Sequence, residues 1–162
     1  MTKPVKVVPE GYHTLIPNLK IRGAARAIEF YKQAFGAQEI VRMPGPDGQS
    51  IMHAELKMGD SVFMLSDEFP EMGAPSPQSL NGTPVSFYTY VEDVDAVFNR
   101  AVAAGAQVKM PVADMFWGDR YGRLSDPFGH EWELATHKQD LTPEEIRKAA
   151  EAFFAQAAQN KP

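Results

Sequence analysis

Apolar and polar positions alternate along YHTLIPNLKI (12–21), where Leu15, Leu19 and Ile21 share one parity and predict a strand. The period then changes. In AARAIEFYKQAFGA (24–37), Ala27, Ile28, Tyr31 and Phe35 recur at helical spacing, and Gly36 supplies the stop. QEIVRM (38–43) predicts a short strand and PGPDG (44–48) a turn; SIMHAELKM (50–58) and SVFMLSD (61–67) predict a hairpin around Gly59-Asp60. The same order then returns. TPVSFYTYVE (83–92) predicts a strand, and Asp93 is a good N-cap for a helix in VDAVFNRAVAAGA (94–106). QVKMPV (107–112), FWGDRYGRLSD (116–126) and HEWELATH (130–137) complete the second set.

Leu19-Lys20-Ile21 aligns with Thr89-Tyr90-Val91, and Gly36-Ala37 with Gly105-Ala106, so the second helix is one residue shorter. The pattern predicts an α+β fold of two βαβββ modules, over 12–67 and 83–137. The connector, 68–82, is rich in Pro, Gly and Ser and long enough to be functional or mobile. After the second module, Thr142, Pro143 and Glu145 form a capping box, which predicts a C-terminal helical extension within 138–162. Its apolar stripe, Ile146, Ala149, Ala150, Phe153 and Ala157, predicts packing on the body or on a second subunit.

Parity divides each strand between a helix side and an open side. Leu15, Leu19 and Ile21 fall to the helix side of the first strand, leaving Thr14, Ile16, Asn18 and Lys20 on the other. Met52, Ala54 and Leu56 fall to the helix side, against Ile51, His53 and Glu55. In the second module, Val85, Phe87, Val91, Trp132 and Leu134 oppose Ser86, Tyr88, Tyr90, Glu131, Glu133 and Ala135.

Composition narrows the function classes. The 162 residues are 44% hydrophobic and 23% charged, values of an ordinary globular protein, and suffice for one domain or two small modules sharing a core. A net charge of −5 with scattered Lys and Arg gives no basic face for nucleic acid. The absence of Cys removes disulfides, thiolate zinc and a Cys nucleophile together. MTKPVKVVPEGY has no apolar core of signal-peptide length, and no run approaches the ~20 apolar residues of a membrane span. The default expectation is a soluble cytoplasmic protein with no membrane partner.

AIEFYKQAFGA, VEDVDAVFNRAVAAGA and the closing DPFGHEWEL resemble the vicinal oxygen chelate superfamily of glyoxalase I, bleomycin-resistance proteins and extradiol dioxygenases. FWGDRYGRLSDPFGHEWELATH, with YHTLIPNLKIRGA, looks most like its PhnB-like, glyoxalase-related branch. The resemblance implies eight strands curled into a concave sheet with helices on the convex side, a small-molecule ligand in the concave cup, and a homodimer. It also implies a metal held at four positions, one on the first and one on the last strand of each module. Counted onto this chain, these are Ile16, Met64, Ser86 and Glu133, of which only Glu133 suits a transition metal. The family's usual metal site is therefore expected to be absent.

Three readings follow. The first is a binding protein for a small molecule, without cofactor, using His53, Glu55, Tyr88, Tyr90, Trp117, Asp119, Tyr121, Arg123 and Glu131. Arg123 facing Glu133 or Glu55 equally suits a structural ion pair. The second is a lyase, isomerase or dioxygenase-type enzyme. It would use a displaced Zn, Mn or Fe on Glu133, His53 and Glu55, or Glu133 alone as a catalytic base with a pKa raised by burial. The third is an interaction protein with a vestigial cup, which the polar open faces oppose. Asp126 of DPFG is expected to serve the turn, and His130 to lie outside the cup.

Overall fold

A computed structural model describes residues 5–159. The first module contains β1 (Asn18–Ile21), α1 (Ala24–Phe35), β2 (Gln38–Pro44), β3 (Ile51–Met58) and β4 (Ser61–Asp67). A 3₁₀ turn (Pro70–Met72) and α2 (Pro77–Leu80) follow in the connector. The second module contains β5 (Ser86–Tyr90), α3 (Val94–Ala103), β6 (Gln107–Asp114), β7 (Asp119–Ser125) and β8 (Glu131–His137), before α4 (Pro143–Gln159). The strands form two four-stranded sheets, ordered β1-β4-β3-β2 and β5-β8-β7-β6. In each, the first and last strands pair parallel and the rest antiparallel, so the sequence repeat is a topological repeat. The α+β class and module order are those the sequence predicts. Residues 1–4, and residues 160–162 of the predicted C-terminal extension, lie outside the described residues.

One core serves both modules. Ala27, Ile28, Tyr31, Ala34 and Phe35 of α1 are buried among Leu19, Ile21, Ala54, Leu56, Phe63 and Leu65 of its own sheet. Trp132 from β8 enters the same cluster, with ring centroids 4.7 Å from Phe35, 5.5 Å from Tyr31 and 5.0 Å from Phe87. Burying side chains of this size contributes about 2–3 kcal/mol each. A guanidinium N–H of Arg100 on α3 donates to the Ala34 carbonyl at 2.8 Å, capping the end of α1 from the other module.

Helix boundaries follow local chemistry in one module and remote chemistry in the other. Asp93 caps α3 through Ala96 N–H at 3.0 Å, as its position predicts. The start of α1 has no capping side chain of its own. Asp67, at the end of β4, accepts from Gly23 N–H (3.0 Å), Ala24 N–H (2.9 Å) and Ile51 N–H (2.7 Å).

Two strand expectations are corrected. β1 begins only at Asn18; Pro17 has no N–H for a ladder, and Leu15, expected on the helix side, is 86% exposed. In β3, pairing skips from His53↔Met43 to Ile51↔Pro44, so Met52 is a bulge residue. Parity reverses there: Ile51 is in the core and Met52 is 44% exposed. Within 116–126 the strand is β7, and Phe116 and Trp117 lie in the loop before it. The connector is pinned: Glu68 accepts from Arg22, Ser79 and Ser76 N–H, and Gln78 donates to the Pro127 carbonyl.

Candidate functional site

The open face of the second sheet is organised around Asp119. The residue begins β7 opposite His137, and its side chain is 3% exposed beneath a layer of aromatic rings. One carboxylate oxygen accepts from Tyr88 OH at 2.8 Å, Tyr90 OH at 3.1 Å and Trp117 Nε1–H at 3.2 Å. The other lies 2.8 Å from His137 Nδ1. Burial pushes the Asp119 carboxyl up, but the donors from His137, Tyr88, Tyr90 and Trp117 outweigh it and hold it below the usual range. Burial and the bond to Asp119 raise the Tyr88 and Tyr90 hydroxyls, so both stay protonated as donors.

Glu133 forms a second node on β8. Ser86 OH donates to one oxygen, and Tyr121 OH to the other at 2.6 Å. Burial raises the Glu133 carboxyl, while Ser86, Tyr121 and the charge of Arg123 lower it, with a net result below the usual value. The rise expected from burial is not the net outcome: the hydroxyl donors Ser86 and Tyr121 favour the ionised form of Glu133. Tyr88 and Tyr121 stack with centroids 5.7 Å apart at 25°, and Trp117 meets Tyr121 edge-on at 5.5 Å.

Six of the expected residues, Tyr88, Tyr90, Trp117, Asp119, Tyr121 and Glu133, therefore share one hydrogen-bonded aromatic surface. Arg123 and Glu131 flank it on the same face, Arg123 paired with Glu133 in the ladder. The alternative reading of Arg123 as half of an ion pair is not realised: among the described residues it forms no salt bridge with Glu133 or Glu55. His53 and Glu55 belong to another cluster, on the open face of the first sheet. His53 Nε2 lies 2.9 Å from Glu55, which also accepts from Tyr12 OH; Tyr12 and His53 hold the Glu55 carboxyl low.

His137 is the functional candidate that residue-type reasoning passed over. Its parity matches Glu133, a signal present in the sequence, but its link to Asp119 depends on the β7–β8 register. His130 lies off this face as expected, buried with Nε2 3.2 Å from the Lys20 carbonyl. Asp126 does more than close its turn. It accepts from Phe128 N–H and His130 N–H, and also from Tyr31 OH at 2.7 Å and Trp132 Nε1–H at 3.0 Å.

The four positions of the superfamily's metal site can be tested for fit. Ser86 and Glu133 meet, but as donor and acceptor to each other, and Tyr121 occupies the second carboxylate oxygen. Met64 offers a thioether opposite Glu55, and Ile16 has no donor atom. This set does not suit Zn, Mn or Fe, which take about three N or O ligands from protein. The displaced set is not assembled either: Glu133 lies on the second sheet, His53 and Glu55 on the first. Among the described residues no three His, Asp or Glu side chains converge as ligands.

The paired βαβββ modules place the chain in the class of glyoxalase-like folds. The sequence profile of the Glyoxalase/Bleomycin resistance protein/Dioxygenase superfamily matches residues 17–134, and the chain belongs to that superfamily. An uncharacterized protein of Mycobacterium bovis is 47% identical over 138 residues, covering 83% of this chain and 90% of its own. TioX from Micromonospora sp. ML1 superposes with a TM-score of 0.60 at 29% identity, over 80% of this chain and 100% of TioX. A PhnB protein from Bacillus cereus shares the fold at a TM-score of 0.59 and 21% identity, over 76% of this chain and 99% of its own.

Proposed function

We propose that this protein binds a small, flat aromatic molecule against the open face of its second sheet, without the metal used by metal-binding members of its superfamily. The observation that carries the reading is the buried Asp119 carboxylate. It fixes Tyr88, Tyr90 and Trp117 by their polar ends and leaves their rings free to pack. A purely structural aromatic cluster would bury those rings. Here Tyr88 and Tyr90 are 44% and 61% exposed. Fixed aromatic walls with a few placed polar groups are what small-molecule sites provide. Glu133 and Glu131 supply acceptors and Arg123 a cation at the edge, which selects ligands with hydrogen-bond donors on one side.

The face is open within one chain, and the open face of the first sheet is the surface we propose covers it in a second copy. Val41 and Met43 pair with Glu55 and His53 on β3 and are themselves exposed, so the corresponding face is apolar as well as polar. A homodimer in which this face of one copy covers the aromatic face of the other would enclose the ligand, consistent with the reading. The net charge of −5 does not favour nucleic acid as a partner, no helix among the described residues is long and apolar enough to cross a membrane, and the cytoplasm is the compartment we propose.

Two measurements test the reading. Elemental analysis of the purified protein is expected to find far less than one equivalent of transition metal; a full, tightly held equivalent overturns the metal-free assignment. Ligand-observed NMR with a panel of planar aromatic compounds should yield binders whose affinity falls about 5–10-fold in Tyr88→Ala or Tyr121→Ala, the loss of one aromatic contact worth about 1 kcal/mol. Binders unaffected by either substitution would place the ligand elsewhere.

A further inference from the structure

His137 stands between the aromatic site and the C-terminal helix, and both of its ring nitrogens face carboxylates. Nδ1 lies 2.8 Å from the buried Asp119 oxygen, and Nε2 lies 2.9 Å from Asp140 in the connector to α4. A neutral imidazole has one N–H and can donate to one of them only; bridging both requires the imidazolium. We infer that His137 is a protonation-dependent latch that ties Asp119, the buried carboxylate anchoring the aromatic face, to the segment carrying α4. This rests on the proposed ligand site and names its regulation.

The segment matters because α4 reaches the same site. Phe153 and Phe154 pack on Phe116, with centroids 5.4 and 6.0 Å away, and Phe116 meets Trp117 at 5.0 Å. Trp117 in turn donates to Asp119. The connector starts at Lys138 and Gln139, whose N–H groups both donate to the Gly118 carbonyl at 3.0 Å. Trp117 is thus held from one side by Asp119 and from the other by α4 through Phe116. None of the α4 residues is buried, so the helix has few contacts to keep it docked once one restraint goes.

The charges around His137 fix the direction of the switch. Asp119 faces it from β7 and Asp140 from its own connector; Tyr90 and Glu92 line the shallow groove beside it, and Lys138 follows in the chain. The carboxylates outnumber the single cation and favour the protonated ring; the bonds to Asp140 and Asp119 raise its titration above the ordinary histidine value. On deprotonation the remaining N–H stays with Asp119, because leaving that buried carboxylate short of a donor costs more than releasing an exposed one. Nε2 then presents a lone pair to Asp140, and the connector loses that restraint and is left with the Lys138 and Gln139 N–H bonds to the Gly118 carbonyl. Rising pH loosens α4 and, through Phe116, the position of Trp117.

The test uses the full chain without ligand, which separates it from the binding reading. NMR titration of the imidazole carbons of His137 should place its midpoint above the ordinary histidine range and lower it in Asp140→Asn. Hydrogen-exchange protection factors of the α4 amides should fall about two- to fivefold across that midpoint, the loss of one partly exposed ion pair. In Asp140→Asn they should be low throughout and change little with pH. A His137 that titrates at or below the ordinary value, or α4 protection that ignores the titration, overturns the latch. With a planar aromatic binder in hand, weaker affinity above the midpoint in the wild type but not in Asp140→Asn supports the link to the site, and equal pH dependence in both overturns that link alone.

Discussion

Asp126 and Asp119 show how much two carboxylates can differ while both are buried. Asp126 gathers two backbone N–H groups, a tyrosine hydroxyl and an indole N–H inside the shared core, and nothing there is open to a ligand. Asp126→Ala leaves all four donors without their acceptor and should destabilise the protein by about 3–5 kcal/mol, measured by urea unfolding. Asp119 organises an exposed surface instead, and its effect is visible in the pH dependence. A carboxyl held low in the folded state contributes stability that is complete above its unfolded value of about 3.9 and is lost as pH falls through the folded value. Asp119 and Glu133 are both of this kind, so the unfolding midpoint should drop on acidification below about pH 4. The double variant Asp119→Asn/Glu133→Gln should begin less stable at neutral pH and lose less across the same acid range. An equally steep loss in the variant contradicts the assignment. At this scale the sequence was readable by parity for Tyr88, Tyr90, Tyr121 and Glu133. The tie between Asp119 and His137 was not, because it depends on the β7–β8 register.

Among the elements, the loop between β6 and β7 has the most to do. Gly118 has φ +98°, and a Cβ there would stand 2.5 Å from the Gln139 carbonyl oxygen, part of the backbone that leads to α4. Gly118→Ala therefore strains the loop and forces the connector away. A cost of about 1–3 kcal/mol is expected, with reduced protection of α4 amides in hydrogen exchange. Normal stability and an unchanged α4 would show that the connector and the Trp117 loop are not mechanically joined. Helices were the most legible elements, since Gly36 and Asp93 mark boundaries by local chemistry. The bulge at Met52 and the late start of β1 were hidden, because a one-residue slip reverses parity without altering composition. The N-cap that Asp67 supplies to α1 was hidden too, since it comes from another strand.

For the whole molecule, the repeat in the sequence is the repeat in the fold, and it was legible because each module carries the same change of period from strand to helix to strands. Function was less legible. The superfamily positions point to a metal, while the residues at them join Ser86 to Glu133 and leave Ile16 and Met64 without suitable donors. If open faces from two copies close on each other, light scattering should give twice the chain mass of 17.9 kDa. Met43→Glu, which places a charge on the exposed first-sheet face, should shift the protein toward monomer; a monomeric wild type contradicts the dimer. The central claim, a small-molecule site on the aromatic face, is most directly tested with 5-fluorotryptophan and fluorine NMR. The chain has two tryptophans, Trp117 at the site and Trp132 in the core. Planar aromatic binders should move the Trp117 resonance and leave Trp132 in place. Binders that move neither resonance, or move Trp117 equally in Tyr88→Ala/Tyr121→Ala, would contradict it.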